Sequence, residues 1–389
     1  MTHTTEMNHQ IEEQYKLCKY LYLIKKETYK RSMVKRKQGE KKRVHMSIFA
    51  LPSHIKKLFG PFMKTPLYTE IATLRGHTNP PTNHMPCLIL HENKLYSGSY
   101  DKTIRIWNTE THEEIAILRG HTGYVRCLTL LKNKLYSGSD DKTIRVWNTE
   151  THEEIGILRG HTNTVQCLTL LKNKLYSGSY DNTIRIWDTE THEEIAILRG
   201  HTDMVWCLTI HENKMYSGSW DKTIRIWNTE THEEIGILRG HTMCVSCITL
   251  HDNKLYSGSY DGTIRIWNTE THEEIAILRG HTGSVLCLTI HNNKLYSGSY
   301  DETIRIWNTE TQEEIAILRG HTNNVYCINI HDNKLYSGSW DTTIRIWNTE
   351  TYEEIATLRG HTNNVYCINI HDNKLYSGSW DTTIRIWKV

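Results

Sequence analysis

Proline is absent from most of this chain. All six prolines lie between Pro52 and Pro86, and the three phenylalanines all precede position 67. The lack of proline after position 86 excludes a proline-rich linker there. No run of 18 apolar residues occurs, so we expect no membrane span. The polar start, MTHTTEMNHQ, lacks the apolar stretch of a secretory signal, so we expect a protein of the cytoplasm, the nucleus or both.

The charges divide the chain into two parts. Residues 1–66 hold 15 Lys and Arg against 5 Asp and Glu, whereas residues 67–389 hold 31 against 39. The formal net charge of +2 therefore combines a basic segment with an acidic one. We predict a basic N-terminal arm over 1–66, partly helical or disordered, and a folded domain over 67–389.

The folded domain is an internal repeat with a period of 40 residues. Tryptophan marks the period at eight positions, and a Gly-His pair recurs at the same interval in seven of the units, with one longer interval in the first. Residues 321–347 and 361–387 are identical. A fixed period of this length indicates a repeat architecture.

Each repeat unit has the pattern of four short strands. In the second unit the strands cover 125–130, 135–139, 143–147 and 155–160, with β-branched and aromatic residues in the strands and polar residues in the turns. We expect Asn133 and its equivalents to take the positive φ of a two-residue hairpin turn. Four strands every 40 residues, eight times over, predict an all-β protein: an eight-bladed β-propeller of four-stranded antiparallel blades.

The ends of the repeat predict how the ring closes. The domain begins with a fourth-type strand within 68–77 and ends with a third-type strand within 383–389. We predict that 69–75 completes the last blade beside 383–387, which removes an exposed sheet edge. A seven-bladed ring with one displaced unit stays open as an alternative, and the insertion NPPTNHMP (79–86) is where we expect such a displacement.

The repeated pattern GH…LYSGSxDxTIRIWN resembles the WD-repeat family over residues 67–389. The resemblance implies a protein-interaction scaffold that has no catalytic activity and needs no cofactor. This sequence departs from the family in the Trp-Asp pair, whose Asp stands only at Asp188. Asn replaces it in six units and Lys388 in the last. Because Asn can make similar local hydrogen bonds, we expect the fold to tolerate the change.

The resemblance also implies a buried hydrogen-bond network in each blade. It joins the turn Asp, the Gly-His imidazole, the first Ser of Ser-Gly-Ser and the Trp indole. The set has the residue types of a catalytic triad, but an enzyme needs one such site and not eight. No Gly-x-Ser-x-Gly elbow is present, so we predict a structural role and no enzyme. The predicted network residues are His77, Ser97, Asp101, Trp107, His121, Ser137, Asp141, Trp147, His161, Ser177, Asp181, Trp187, His201, Ser217, Asp221, Trp227, His241, Ser257, Asp261, Trp267, His281, Ser297, Asp301, Trp307, His321, Ser337, Asp341, Trp347, His361, Ser377, Asp381 and Trp387.

Cysteine is abundant but follows the repeat. Eight of the ten cysteines occupy one position in the first strand of each unit. Cys244 and Cys247 lie three apart but lack partner ligands. We predict buried, reduced thiols that pack as small apolar side chains, with no disulfide and no metal site.

Because the units are so alike, the positions that vary between them are informative. These are the second, third and fifth residues after the Gly-His histidine and the two residues that flank the turn Asp. By strand direction they share one end of every blade. In the family that the sequence resembles, that end is the top face, where partners dock. We therefore predict that a protein or peptide binds there, which would make the chain part of a multiprotein complex.

Aromatic side chains dominate the variable positions. Seven of the eight residues that precede the turn Asp are Tyr or Trp. We expect them to stand exposed as a docking platform, because the position accepts Tyr, Trp and Asp; packing between blades is the alternative. Arg126 and Asp140 break the symmetry and are expected to orient an extended ligand. The predicted partner-binding residues are Tyr100, Tyr124, Arg126, Asp140, Tyr180, Trp206, Trp220, Tyr260, Tyr300, Tyr326, Trp340, Tyr366 and Trp380.

The basic arm contains three further segments. Residues 11–31 predict a short amphipathic helix, and KRKQGEKKR (35–43) fits a nuclear-import signal, a nucleic-acid contact or a solvated run. The segment ALPSHIKKLFGPF (50–62) resembles the opening of an F-box. Two alternative functions follow: a substrate receptor of a ubiquitin ligase, and nucleic-acid association through the arm alone.

Overall fold

The computed structural model describes residues 68–78 and 87–389, and within them 32 strands form eight four-stranded sheets. The strands that precede and build the first four blades are β1 (Thr69–Arg75), β2 (Cys87–His91), β3 (Lys94–Gly98), β4 (Ile104–Asn108), β5 (Glu114–Leu118), β6 (Val125–Leu131), β7 (Lys134–Ser139), β8 (Thr143–Asn148), β9 (Glu154–Arg159), β10 (Val165–Leu171), β11 (Lys174–Ser179), β12 (Ile184–Asp188), β13 (Glu194–Leu198), β14 (Val205–His211), β15 (Lys214–Ser219), β16 (Thr223–Asn228) and β17 (Glu234–Arg239). The remaining strands are β18 (Val245–His251), β19 (Lys254–Ser259), β20 (Ile264–Asn268), β21 (Glu274–Leu278), β22 (Val285–His291), β23 (Lys294–Ser299), β24 (Ile304–Asn308), β25 (Glu314–Leu318), β26 (Val325–His331), β27 (Lys334–Ser339), β28 (Ile344–Asn348), β29 (Glu354–Leu358), β30 (Val365–His371), β31 (Lys374–Ser379) and β32 (Thr383–Lys388).

The sheets are the blades of an eight-bladed β-propeller, as predicted. Each of the first seven blades uses four consecutive strands, the first being β2–β5 and the second β6–β9. Neighbouring strands within a blade are antiparallel. The first strands of successive blades contact one another from β2 onwards, so they surround the axis and the fourth strands form the outer edge.

The ring closes through the N-terminal strand, which confirms the predicted eight-bladed closure and excludes the seven-bladed alternative. The eighth blade has the order β1-β32-β31-β30, and β1 pairs antiparallel with β32. Leu74 lies opposite Ile384, and Glu70 accepts a hydrogen bond from the Arg385 guanidinium. The two ends of the described domain therefore share one sheet.

Apolar side chains fill the space between neighbouring blades. Between the first and second blades, Tyr96, Ile104 and Ile106 of one blade pack against Val125, Leu135 and Trp147 of the next. Equivalent clusters occupy the other interfaces, including the one between the eighth blade and the first. Burial of these side chains supplies the main stabilising term of the ring.

The glycine of Ser-Gly-Ser makes this close approach possible. A Cβ added at Gly98 would lie 2.6 Å from Cys87 Sγ and 2.8 Å from Val125 Cγ1 of the next blade. Each of the other seven glycines at this position has the same kind of contact with its own Cys Sγ. The position therefore excludes any larger residue, whatever its backbone angles.

The hairpin turns differ in one detail from the prediction. The positive φ lies at the residue before the Asn in each first hairpin, as at Lys132 with φ 54°. Asn itself takes a positive φ at Asn293, Asn333 and Asn373. The expectation for Asn133 is wrong, because the preceding residue takes the left-handed conformation there.

The predicted features of the arm lie outside the described residues: the helix over 11–31, the basic run 35–43 and the F-box-like segment 50–62. The insertion 79–86 lies outside them as well. Within 68–78 and 87–389 no helix is long and apolar enough to cross a membrane.

Candidate interaction face

Four polar side chains form a hydrogen-bonded network in every blade. In the second blade His121 Nδ1 lies 2.7 Å from Asp141 Oδ2, and His121 Nε2 lies 2.8 Å from Ser137 Oγ. The Trp147 indole N–H donates to the same Ser137 Oγ at 2.9 Å. The corresponding distances in the other seven blades are 2.6–2.9 Å, 2.7–2.8 Å and 2.9–3.0 Å. The structure thus brings together the predicted residues within each of the eight blades.

The turn aspartate is the most heavily hydrogen-bonded member of the network. In the first blade Asp101 Oδ2 accepts from His77 and from the Thr78 backbone N–H, and Oδ1 accepts from both the backbone and the hydroxyl of Thr103. Burial alone would raise the pKa of this carboxyl, but the hydrogen bonds from His77 and Thr103 outweigh it and hold the pKa at about 2. The carboxylate is therefore ionised at neutral pH.

The hydrogen-bond network is arranged for a structural role. Ser137 is 0% exposed, and its Oγ already contacts an imidazole nitrogen and an indole N–H. A nucleophilic serine must instead face an open position where a substrate carbonyl can sit. The geometry satisfies every polar group of the set and leaves no such position at the serine.

The residues of the Trp-Asp position behave alike whether they are Asn or Asp. Asn108 Oδ1 accepts the backbone N–H groups of Glu110 and Thr111 at 2.8 and 2.9 Å. Asp188 Oδ1 accepts those of Glu190 and Thr191 at 2.7 and 2.8 Å. The exchange of Asp for Asn therefore preserves the turn.

The predicted partner-binding aromatics form a row of touching rings at the top end of the blades. Consecutive ring centroids from Tyr180 to Trp380 lie 5.4–6.1 Å apart. The members of the row, in order, are Tyr180, Trp206, Trp220, Tyr260, Tyr300, Trp340 and Trp380. Each ring thus packs across a blade boundary and still takes part in one continuous surface.

The predicted partner-binding residues differ in their solvent exposure. Trp220 is 38% exposed, whereas Tyr100 is only 9% exposed and stacks on Tyr124 with 4.2 Å between centroids. The other predicted residues are half-buried. The expectation of an exposed platform is therefore wrong for Tyr100, whose ring is covered by its neighbour in the next blade, and the half-buried rings pack between blades, which was the alternative.

Arg126 and Asp140 form an ion pair with each other. Arg126 Nε lies 2.6 Å from Asp140 Oδ1, and Nη2 lies 3.0 Å from Oδ2. The guanidinium also lies over the Tyr100 ring at 4.7 Å and donates to the Tyr100 hydroxyl. Neither charge is available as the free orienting group that we predicted, because the two neutralise each other.

Tyr326 and Tyr366 lie on the first strands of the last two blades. Their ring centroids are 3.9 Å apart, and their hydroxyls are hydrogen-bonded to each other. Tyr326 also stacks on Trp340, and Tyr366 on Trp380, at 6.1 and 6.0 Å. Burial, followed by the neighbouring Tyr366 hydroxyl, raises the pKa of Tyr326, so the phenol stays neutral. These rings extend the aromatic surface inward from the row.

The repeat cysteines are less covered than predicted. All nine cysteines of the described residues are free, and the eight at the repeat position are half-buried. Burial raises the pKa of Cys167 to about 12, which keeps the thiol protonated. Within 68–78 and 87–389 no group of three or more His, Cys, Asp or Glu side chains is arranged to hold a metal ion.

Two groups of residues escaped the sequence interpretation. Met243, in the loop before β18, is 50% exposed and stands at one of the variable positions. An apolar residue at a variable position was the signal that could have identified it as a binding residue. The second group is a lysine in seven of the blades, as at Lys94, whose Nζ donates to the Thr149 carbonyl of the next blade at 2.7 Å. Its invariance among the units was a signal for a contact that ties blades together.

The comparisons with known proteins identify the family. A profile described as WD domain, G-beta repeat matches residues 68–108, 112–148, 312–348 and 352–388, and one described as WD40-like domain matches 167–314. The crystal structure of the computationally designed Ika8 protein is similar at 30% sequence identity and a TM-score of 0.77, over 82% of this chain and 99% of that one. The chain belongs to the WD-repeat family, whose propellers serve as protein-interaction scaffolds.

The chain also has shorter sequence matches to curated proteins. It is 50% identical over 46 residues to a probable E3 ubiquitin ligase complex SCF subunit sconB of Emericella nidulans, which is 12% of this chain and 6% of that protein. It is 51% identical over 37 residues to the WD repeat-containing protein pop2 of Schizosaccharomyces pombe, or 10% of this chain and 5% of that protein. Each match is about one repeat long and spans a small fraction of the relative.

Proposed function

We propose that this protein is a non-catalytic scaffold that binds a protein or peptide partner on the top face of its propeller. The observation that carries the proposal is the coincidence of two patterns at one end of the blades. The positions that vary most among the near-identical units lie there, and so does the continuous row of Tyr and Trp rings. A framework that stays constant while one surface varies is what partner selection requires.

The most exposed part of this surface is apolar. Trp220 and Met243 are the two most exposed large apolar side chains at the top end, and Trp220 contacts Tyr260 of the next blade at 6.1 Å between ring centroids. Large rigid aromatic groups supply contact area at low entropic cost, which is why binding hot spots are rich in them. The partner that suits this patch presents an apolar or aromatic anchor.

The test is partner capture by purified variants. Trp220→Ala combined with Met243→Ala is expected to abolish capture of proteins recovered with the wild-type chain, with the thermal midpoint within a few degrees. Ile235→Ala is the matched control, because Ile235 is 40% exposed on β17 of the same blade as Trp220 but lies away from the top end. Capture that survives the double variant, or is equally lost in the control, contradicts the proposal.

A ubiquitin ligase receptor is the second candidate function. The support is the local similarity to proteins described as probable SCF subunits, together with the F-box-like segment 50–62. In that case segment 50–62 would bind the adaptor and the top face would bind the substrate. Leu51→Ala with Pro52→Ala is expected to remove a co-purifying adaptor while Lys56→Ala retains it. Equal adaptor recovery with all three proteins argues against this function.

A further inference from the structure

Each repeat unit contains two arginines with opposite surroundings. The arginine of the third strand, as at Arg145, is half-buried and ion-paired with Glu154 of the fourth strand. The arginine that ends the fourth strand, as at Arg159, is exposed. Among residues 68–78 and 87–389, no carboxylate lies within ion-pair distance of any of these exposed arginines. The eight are Arg75, Arg119, Arg159, Arg199, Arg239, Arg279, Arg319 and Arg359.

The exposed arginines lie at the top end of the outer edge, and we call them the arginine rim. Arg159 is the pairing partner of Thr143, the second residue after the turn Asp141, and Arg75 pairs in the same way with Thr383. The turn aspartates at this end are ionised, but their side chains are buried and hydrogen-bonded within the fold, as at Asp141, and Asp140 is paired with Arg126. Glu302 is an exposed carboxylate at this end. The exposed charges of the rim itself are positive.

The opposite end of the same outer strands is negative. Each fourth strand from β5 to β29 is preceded by an exposed glutamate, as Glu153 precedes β9, and a second exposed glutamate, as at Glu150, lies in the same loop. We call the first set the glutamate rim; its members are Glu113, Glu153, Glu193, Glu233, Glu273, Glu313 and Glu353. Lysines of the first hairpin are half-buried and donate to a backbone carbonyl of the next blade, as Lys134 does, and Lys134 is also ion-paired with Glu190, which is not a member of the glutamate rim.

The two rims follow the same 40-residue repeat. Both are carried by the outermost strand of each blade, so each glutamate is joined to an arginine by one strand of five or six residues. If two propellers stack on a common axis, the arginine rim of one faces the glutamate rim of the other. Seven glutamates face eight arginines, because the outer strand of the eighth blade, β1, is preceded by Tyr68 and not by a glutamate.

We propose that a second copy of this chain docks on the top rim through its own glutamate rim, so that propellers associate head to tail. One exposed ion pair contributes little, but a ring of them acts together across one interface. The contact is heterologous and does not close on itself, so association continues to longer stacks as concentration rises. The inference concerns the outer rim and goes beyond the partner site proposed at Trp220 and Met243.

The test is sedimentation velocity of the full chain over a range of concentrations. At low ionic strength the weight-average sedimentation coefficient is expected to rise with concentration, and at about 1 M salt, where the screening length is about 3 Å, the rise should vanish. A coefficient that is independent of concentration at low salt, up to the solubility limit, overturns the proposal.

Charge reversal identifies the surfaces involved. One variant combines Arg159→Glu, Arg199→Glu, Arg239→Glu and Arg279→Glu, and the other combines Glu153→Arg, Glu193→Arg, Glu233→Arg and Glu273→Arg. Each alone is expected to lose self-association, and an equimolar mixture is expected to regain it, because every rim again meets its opposite. Association that persists in the first variant alone, or a mixture that stays monomeric, overturns the proposal.

Two controls separate this interface from the partner site and from unfolding. Ile155→Ser with Ile195→Ser changes exposed residues on the same outer strands between the two rims, and self-association should be retained. The Trp220→Ala, Met243→Ala variant should still self-associate while it loses its partner. Loss of association in either control places the contact elsewhere and overturns the rim assignment, whereas loss of partner binding alone leaves it intact.

Discussion

Two adjacent aspartates offer a direct test of the blade network. Asp141 accepts hydrogen bonds from His121, the Thr122 backbone N–H and both donors of Thr143, with its side chain 6% exposed. Asp140 is ion-paired with Arg126, and both of those side chains are 23% exposed. Replacement of each by Asn removes one charge and changes the volume little, so the pair compares a buried carboxylate with a half-buried one.

The expected costs follow from burial and from the number of bonds. In Asp141→Asn, an amide N–H₂ faces the His121 N–H, or a Thr donor loses its acceptor, which leaves a buried donor unsatisfied. Hydrogen bonds to charged groups contribute about 1.5–3 kcal/mol each, so we expect a loss of about 2–3 kcal/mol in the free energy of unfolding. Asp140→Asn removes a half-exposed pair, for which about 0.2–1 kcal/mol is typical.

Urea denaturation followed by tryptophan fluorescence measures the difference. The midpoint of Asp141→Asn should fall clearly below that of Asp140→Asn, with similar slopes for the two curves. Equal midpoints for both variants would refute the assignment of Asp141 as the more strongly bound carboxylate. A change in partner choice by Asp141→Asn at unchanged stability would also refute it, since the residue would then act at the interaction face.

Three further predictions concern acid, closure and the thiols. The pKa of Asp101 is about 2, below its ordinary 3.8, so the ionised form stabilises the fold above about pH 4 and this contribution is lost as the pH falls towards 2. The thermal midpoint should therefore drop steeply below about pH 4, and a flat profile to pH 2 would contradict this. Deletion of residues 67–76 should lower the thermal midpoint of the whole domain, because blade eight loses β1. Deletion of residues 1–10 is the control and should leave the midpoint unchanged. Equal midpoints for the two deletions would show that the ring does not need the pairing of β1 with β32. The raised pKa of Cys167, about 12, predicts slow alkylation by iodoacetamide at pH 8 in the folded protein and fast alkylation in urea, and equal rates by mass spectrometry would exclude a protected thiol.

The closure of the ring was predictable because it depends on counting strands. A spare fourth-type strand at 69–75 and a missing one after 383–389 left one economical pairing, and β1 lies beside β32. The pairings within each blade were predictable for a related reason, since the hairpins connect strands only a few residues apart.

The state of the top-face residues was not predictable in the same way. Whether a Tyr ring is covered depends on the side chain that the next blade brings beside it, and Tyr124 covers Tyr100 while Trp220 stays exposed. Arg126 lies at the register shift between Val125 and Cys127, which is within the strand and has no mark in the sequence. Charges that looked free in the sequence are therefore satisfied within the fold.

The closing strand also determines the order in which the molecule can be completed during synthesis. Glu70 and Arg385, which bond across the seam, are 315 residues apart, whereas the contacts within the other blades join residues close in sequence. Seven blades can thus pair as they leave the ribosome, but β1 emerges first among the described strands and waits for β32, which emerges last. Over that interval the nascent chain carries an unpaired strand, TEIATLR, that nearly repeats the outer strand EIATL of β29. Exchange of this strand between neighbouring nascent chains is the misassembly to which the architecture is most vulnerable.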